Sequence, residues 1–310
     1  MNQHIQYHDD EIDLLELFSV IFKGKITIAF TIIVCSVIAV IYSLSLPNIY
    51  KSEALLVTSE SSYSSSSNME SYNGISQLAG INLSSQNSQS NSSKALEKLY
   101  TLSFFEKNIL PNIFLAELMA YKSWDAEKNL STFNKEIYDI DKNQWVRNTS
   151  FPLKVIPSAQ ESFKIFHSKH LEIDKDKKVG FIKLSIKHQS PYIAKNWVQL
   201  IVDEINKYYR EKDRAEAERA FKYLNTQISK TNYAETKAAI SFILQKETKK
   251  LTLIEANENY VFEYIDPPVV MELKNEPKRS LICIFGALIG MMLGIFIVLI
   301  RHFVYKSNTY

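Results

Sequence analysis

The sequence is poor in the residues on which several common classes of protein depend. Cysteine occurs twice in 310 residues, and both copies, Cys35 and Cys283, lie inside long apolar runs. A disulfide framework is therefore excluded for the rest of the chain, which must be held together by packing or by assembly. The net charge is only +2, from 36 basic and 34 acidic residues, so the charge balance gives no indication of a nucleic-acid partner.

Glycine is also scarce, and the seven glycines do not form a nucleotide-binding loop. None of them has the spacing of a Walker A loop or of a dinucleotide-binding turn. His167 and His170 are spaced as two metal ligands can be, but no third ligand accompanies them. Asp139 and Asp141 are an ordinary pair of carboxylates in a polar segment. We therefore expect a protein that is not an enzyme, with no catalytic residues, no cofactor and no metal site.

Charge is absent from two long stretches near the ends of the chain. Residues 26–46 and 280–300 each contain 21 residues without Asp, Glu, Lys or Arg. A helix of that length extends about 31 Å, which matches the hydrocarbon core of a bilayer at about 30 Å. A cleaved signal peptide is disfavoured for the first stretch because acidic residues precede it and its apolar run is too long. We predict a transmembrane helix over each range.

Basic residues beside the spans indicate the orientation of the chain. Lys23 and Lys25 precede the first span, and Arg301 and Lys306 follow the second. The positive-inside rule then favours cytoplasmic tails, so the central part lies outside the cytoplasm, in the periplasm of a bacterium with two membranes. The predicted segments are a cytoplasmic tail with a short amphipathic helix (1–25), a span (26–46), a periplasmic domain (47–279), a second span (280–300) and a cytoplasmic tail (301–310).

The central part carries signals of both strands and helices. Ser158, with Glu161 three residues later, forms a capping box at a helix start. Residues 58–93 include 15 serines and predict a loop that cannot bury a core by itself. We predict an α+β fold with a membrane-proximal sheet. Its strands are predicted at 50–58, 151–156, 171–173, 179–187 and 260–265, and its shorter helices at 94–108, 113–124 and 158–167.

One helix is predicted to be unusually long. Ser190 and Pro191 suit the N-cap and first position of a helix, and neither glycine nor proline follows until Pro267. A continuous helix over about 191–256 would extend about 98 Å and project from a domain of this size. Low helix propensity near 231–233 leaves two stacked or hairpinned helices as the alternative. The candidate packing stripe of this helix consists of Trp197, Ile201, Ile205, Tyr208, Leu224 and Ile228.

Three of the seven glycines recur within the second span. Gly286, Gly290 and Gly294 are four residues apart, so they lie along one face of the helix. Small residues at this spacing let two membrane helices approach closely. We predict that this face contacts another helix, either in the same chain or in a neighbouring subunit.

Four short marks follow one another along nearly the whole chain. An acidic lead-in at 10–18 (DEIDLLELF) precedes Lys25 and the first span, and the triplet 78–80 (LAG) follows that span. Residues 266–268 (DPP) and the pair 277–278 (PK) precede the glycine-repeat span. In their order and spacing, these marks resemble the chain length determinant family of polysaccharide co-polymerases. The candidate membrane-approach motif comprises Pro267, Pro268, Pro277 and Lys278.

The resemblance implies a protein of the bacterial inner membrane that regulates polymer length without catalysis. The regulated polymer would be lipopolysaccharide O-antigen or a related surface polysaccharide. The implied architecture is an α/β base with a long projecting helix, assembled as a ring-like homo-oligomer. The implied partners are the integral-membrane O-antigen polymerase, a lipid-linked glycan and the lipid bilayer. A periplasmic adaptor or tether of a transport assembly, or a regulator of capsule or exopolysaccharide export, remains an alternative.

Overall fold

The structure is a computed structural model that describes residues 14–59, 91–176 and 180–307. Most of the predicted serine-rich loop and the first part of the acidic lead-in fall outside these ranges. The chain divides into a terminal unit, made of residues 1–48 and 274–310, and a central unit, made of residues 49–273.

The described elements mix helices and strands, as predicted for the fold class. The helices are α1 (Leu14–Lys23), α2 (Lys25–Ser45), α3 (Asn91–Leu99), α4 (Leu102–Phe104), α5 (Leu115–Met119), α6 (Ala159–Ile165), α7 (Pro191–Lys230), α8 (Ala234–Ala256) and α9 (Arg279–Ser307). The strands are β1 (Tyr50–Thr58), β2 (Tyr121–Asp125), β3 (Leu130–Phe133), β4 (Tyr138–Asp139), β5 (Gln144–Trp145), β6 (Leu171–Lys175), β7 (Ile182–His188) and β8 (Phe262–Asp266). Helices α4 and α6 continue as π-helical turns at Phe105–Ile109 and Phe166–His170.

The terminal unit contains two helices that are long and apolar enough to cross a membrane. They are α2 and the part of α9 from Arg279 to Val304, with mean hydropathy 2.5 and 2.8. Most of their apolar side chains are exposed, whereas the core helix of a soluble protein would bury them. The helices therefore suit a lipid environment, and they cover the two predicted spans except for Leu46, which follows the end of α2.

The central unit is organised around a four-stranded antiparallel sheet in the order β6, β7, β1, β8. The predicted hairpin is confirmed, because β6 pairs with β7 and Leu171 lies opposite Ile186. Strand β1 is central, and its Leu56 lies between Ile182 of β7 and Tyr264 of β8. The late return of the chain to the sheet, predicted at 260–265, is thus also confirmed.

The first half of α7 packs on one face of this sheet. Ser190 caps the helix as predicted, since its hydroxyl accepts the Ile193 backbone N–H at 3.4 Å. The strands contribute alternate apolar residues to the core, and the helix contributes a continuous inner face. The buried apolar residues of this layer include Ala54, Leu56, Ile182, Leu184, Ile186, Trp197, Val198, Ile201, Val202 and Ile205.

The expected single helix over about 191–256 is wrong, and the hairpin alternative is what the structure contains. Helix α7 ends at Lys230 and α8 begins at Ala234, with extended backbone at Thr231 and Tyr233. Threonine, asparagine and tyrosine are poor helix formers, which explains why the helix ends here. Helix α8 returns along α7, and an ion pair joins Arg214 to Glu255. Helix α7 alone extends about 60 Å.

Two further local predictions are wrong. The segment predicted as a strand at 151–156 consists of turns and bends whose side chains are exposed, because Pro152 and Pro157 remove backbone donors that a strand needs. The helix predicted at 113–124 ends at Met119. Tyr121 and Trp124 instead lie on β2, which pairs with β3, and aromatic residues favour such strand pairing.

One buried side-chain amide connects α7 to β8, the edge strand formed late in the chain. The Asn206 side-chain oxygen accepts the backbone N–H groups of Val261 and Phe262, each at 2.8 Å. The Asn206 amide nitrogen donates to the Phe262 carbonyl, also at 2.8 Å. All three bonds are buried, so a side chain that cannot form them leaves three backbone groups without partners.

We expect Asn206→Leu to lower the free energy of unfolding of the central unit by about 3 kcal/mol, the cost of unsatisfied buried backbone groups. Urea unfolding followed by tryptophan fluorescence measures this quantity, since all three tryptophans lie in the central unit. Asn225→Leu, at an exposed position on the same helix, is the matched control and should change stability little. Equal stability of the two variants would contradict the role given to Asn206.

Candidate functional site

The described residues offer no cluster suited to metal chemistry. Within residues 14–59, 91–176 and 180–307, no three His, Cys, Asp or Glu side chains are grouped so that they could hold a metal ion. His167 and His170, which have the spacing of two metal ligands in the sequence, contact different partners. The Nδ1 atom of His170 lies 2.7 Å from the Lys187 carbonyl, whereas His167 packs on the Phe163 ring with centroids 4.4 Å apart.

The glycine face of α9 lies against α2 of the same chain. A Cβ atom added to Gly290 would lie 2.8 Å from the Ile32 Cα and 2.9 Å from the Thr31 carbonyl oxygen. A Cβ atom added to Gly286 would overlap the Ala39 side chain. Because backbone atoms limit the space at Gly290, a larger residue there requires the two helices to separate.

The contact between the glycine face of α9 and α2, which we call the glycine seam, continues toward the start of α2. A Cβ atom on Gly294 would overlap the Thr31 hydroxyl and lie 2.9 Å from the Ile28 Cα. The Thr31 hydroxyl donates to the Ile28 carbonyl at 2.8 Å, so this polar group has a partner within its helix. Gly24, which the sequence reasoning did not single out, faces the Val298 side chain. The seam therefore involves four of the seven glycines.

The residues of the candidate membrane-approach motif are divided between the two units. Pro267 and Pro268 follow β8 in the central unit, whereas Pro277 and Lys278 precede α9 in the terminal unit. Pro268 is buried and Lys278 is exposed. The two halves of the motif therefore have different surroundings, and a shared role for them stays a prediction.

A polar contact that the sequence did not reveal lies beside the two spans. The Asn48 side-chain oxygen accepts a hydrogen bond from Lys274 Nζ at 3.4 Å and another from Arg279 Nη2 at 3.2 Å. These bonds link the end of the segment after α2 to the segment that enters α9. Only the folded chain brings these residues together, because more than 220 positions separate them in the sequence.

The candidate packing stripe of α7 divides into two environments. Trp197, Ile201 and Ile205 are buried in the main core, and Tyr208 packs at its edge. Leu224 and Ile228 lie on the distal part of the helix and are half-buried. The stripe is therefore continuous in the sequence but contributes to the sheet core only in its first half.

A buried histidine joins the start of α7 to two neighbouring segments. His188 Nδ1 accepts the Ser190 backbone N–H at 3.0 Å, and Nε2 lies 3.2 Å from the Glu117 carbonyl oxygen, to which it donates. The ring stacks on His170 with centroids 5.5 Å apart. Burial, followed by the nearby His170, lowers the pKa of His188 from 6.5 to about 3. The neutral imidazole is therefore the form that these contacts stabilise.

The low pKa of His188 predicts that the central unit loses stability in acid. The unfolded chain binds a proton at this residue below about pH 6.5, and the folded chain does so only near pH 3, so stability present above pH 6.5 falls as pH decreases. We expect a loss on the order of 1 kcal/mol per pH unit in this window. Urea unfolding at a series of pH values measures it.

His188→Gln should reduce the pH dependence of the free energy of unfolding in acid, because a glutamine amide does not titrate. The amide can still accept the Ser190 backbone N–H and donate to the Glu117 carbonyl. Part of the slope should remain, since burial also lowers the pKa values of His167 and His170. An unchanged slope in the variant would show that His188 does not couple protonation to unfolding.

The chain is similar to one sequence family and to a number of solved structures. Residues 10–104 match the family described as "Wzz: Chain length determinant protein". No curated protein matches the chain. The chain is similar to a solved structure titled "full-length bacterial polysaccharide co-polymerase", with 14% identity, a TM-score of 0.42, and coverage of 96% of this chain and 100% of that one.

A second solved structure is a "Fragment of WzzB, Polysaccharide Co-polymerase from Salmonella Typhimurium", with 12% identity, a TM-score of 0.29, and coverage of 74% of this chain and 100% of the fragment. The family assignment rests on the sequence match, whose range includes the acidic lead-in, the first candidate span, β1 and α3. This match confirms the resemblance predicted from the sequence: residues 10–104 of the chain are similar to the chain length determinant family.

Proposed function

We propose that this protein is a non-catalytic polysaccharide co-polymerase. It regulates the chain length of lipopolysaccharide O-antigen, or of a related surface polysaccharide, together with the membrane polymerase. The observation that carries this proposal is the family match over residues 10–104. The proposal is supported by two candidate membrane helices on either side, in the sequence, of a large α+β unit.

We place the protein in the bacterial inner membrane with two spans. Both termini are cytoplasmic and the central unit is periplasmic. The positions of Lys23 and Lys25 before α2, and of Arg301 and Lys306 in α9, support this orientation. The central unit then occupies the compartment in which a surface polysaccharide is extended on its lipid carrier.

We propose further that the working form is a ring-like homo-oligomer. Apolar side chains on the α7–α8 hairpin support this proposal, because Phe221, Tyr223 and Tyr233 are exposed there. Exposed aromatic residues at one end of a helical hairpin are typical of contact surfaces. The partners are other copies of the chain, the polymerase, a lipid-linked glycan and the bilayer. A membrane-anchored assembly influences elongation by keeping polymerase molecules at high local concentration.

The length distribution of surface polysaccharide tests the proposal. Deletion of the gene should change the modal length of the lipopolysaccharide ladder on a gel while polymer is still made, and the intact gene should restore the original length. The regulator changes how far chains extend, whereas the polymerase makes each bond. An unchanged ladder, with unchanged lengths of capsule and of any common antigen, would reject the co-polymerase function.

The alternative functions give different results in the same strain. A periplasmic adaptor or tether predicts that polymer of normal length fails to reach the surface. A regulator of capsule or exopolysaccharide export predicts an effect on those polymers and a normal lipopolysaccharide ladder. Comparing polymer length with surface exposure therefore separates the three functions.

The glycine seam predicts a residue-level effect. We expect Gly290→Leu to broaden the length distribution, because the added side chain meets backbone atoms of Ile32 and Thr31 and separates α2 from α9. Met292→Leu is the matched control, since Met292 lies two positions away and is 72% exposed. Protein level is measured in parallel. A parental ladder from Gly290→Leu at normal protein level would contradict a functional role for the seam.

A further inference from the structure

An apolar loop of the central unit is exposed along its whole length. We call residues 151–156 the apolar loop; Phe151 in it is 96% exposed, and Leu153, Val155 and Ile156 are each about half exposed or more. Soluble surfaces carry scattered apolar residues, but four within six positions form a patch that normally has a partner.

A half-buried arginine holds the apolar loop in one conformation. Arg147 Nε donates to the Val155 carbonyl at 2.8 Å, and Nη2 donates to the Lys154 carbonyl at 2.5 Å. The same guanidinium binds both carboxylate oxygens of Glu161, at 2.5 and 2.7 Å. The side chain of Arg147 is only 12% exposed. The loop is therefore held in position by charge-assisted hydrogen bonds at its base.

The backbone of the apolar loop already has partners for several of its polar groups. Besides the two carbonyls bound by Arg147, the Leu153 N–H donates to the Ser150 carbonyl at 3.0 Å. Pro152 and Pro157 have no N–H group that needs an acceptor. Satisfied backbone groups reduce the cost of moving a segment into an apolar phase, where each unsatisfied group costs several kcal/mol.

The size and charge of the apolar loop favour a bilayer over a protein as its partner. A stable protein interface uses roughly 20–30 residues on each side, and the loop supplies six. Of the three basic residues within 142–160, Lys142 pairs with Asp139 and Arg147 pairs with Glu161, which leaves Lys154 as the basic residue of the loop itself. Lys154, within the loop, is exposed and would complement anionic phospholipid headgroups, while apolar and aromatic neighbours suit the membrane interface.

We propose that the apolar loop inserts into the surface of the bilayer that the chain's own helices cross. Phe151 and its aliphatic neighbours enter the interface, Arg147 keeps the loop folded, and Lys154 contacts anionic headgroups. The loop thereby adds a third membrane contact, one that belongs to the central unit. This inference rests on the two candidate spans and does not depend on chain-length regulation.

Fluorescence of a labelled full-length chain in vesicles tests the insertion. A nitrobenzoxadiazole label is attached to Phe151→Cys in a chain that also carries Cys35→Ser and Cys283→Ser. The vesicles contain phosphatidylcholine and phosphatidylglycerol, with or without a phospholipid that bears a nitroxide quencher near the headgroup. The matched control is Tyr233→Cys, because Tyr233 is also aromatic and highly exposed but lies between α7 and α8. Leu153→Cys is a second reporter within the apolar loop.

We expect the quencher to remove most of the emission from labels at 151 and 153 and little of it from the label at 233. Equal quenching at all three positions, or none at 151 and 153, would overturn the proposal. Apolar emission at 151 that the lipid quencher leaves unchanged would also overturn it, since a protein neighbour would then cover the loop. Each of these results can be obtained whether or not deletion changes the polysaccharide ladder, so failure of this inference is separable from failure of the proposed function.

Discussion

Each unit is held together by contact between a segment from the early part of the chain and a segment from its late part. In the terminal unit α2 packs on α9, and in the central unit β1 pairs with β8. Both contacts join residues about 200 or more positions apart. Closing such loops costs conformational entropy that grows slowly with loop length, so close and extensive contact along the paired segments must compensate for it. Glycine provides the close contact between the helices, and the antiparallel hydrogen-bond ladder provides it between the strands.

Buried or half-buried polar side chains act at the places where separate segments meet. Asn206 connects α7 to β8, His188 connects β7 to Glu117 and to the start of α7, and Arg147 closes the apolar loop. Each side chain makes two or more hydrogen bonds to backbone groups outside its own helix, strand or loop. Such groups are costly to bury alone, so their complete pairing favours one arrangement of the segments over others. These side chains therefore contribute to the specificity of the fold as much as to its stability.

The proposed function needs anchoring and contact surfaces more than reactive groups, and the described residues are arranged accordingly. The terminal unit supplies two apolar helices joined through small residues. The central unit supplies a buried sheet core from which the α7–α8 hairpin continues with half-buried and exposed apolar residues. A regulator that acts by assembly uses such surfaces, because binding energy at contacts, and not bond-making, changes the behaviour of its partner.

The sequence by itself determined the features that depend on local pattern and composition. The two spans, strand β1, the β6–β7 hairpin and the caps at Ser158 and Ser190 follow from hydropathy, alternation and short-range hydrogen bonding. The resemblance to the chain length determinant family could also be recognised there, because its marks lie in a fixed order.

Only the tertiary structure decided which distant segments meet. The break at 231–233 was foreseeable as a possibility, but the packing of α8 on α7 made it a hairpin. The segment that forms β2 has helical periodicity in its sequence, but it is a strand because it pairs with β3. The partner of the glycine face, the contacts of Asn206 and the contact of His188 with Glu117 depend on residues far apart in the chain. Periodicity marks a face for packing, but the identity of its partner depends on long-range contacts that no local pattern encodes.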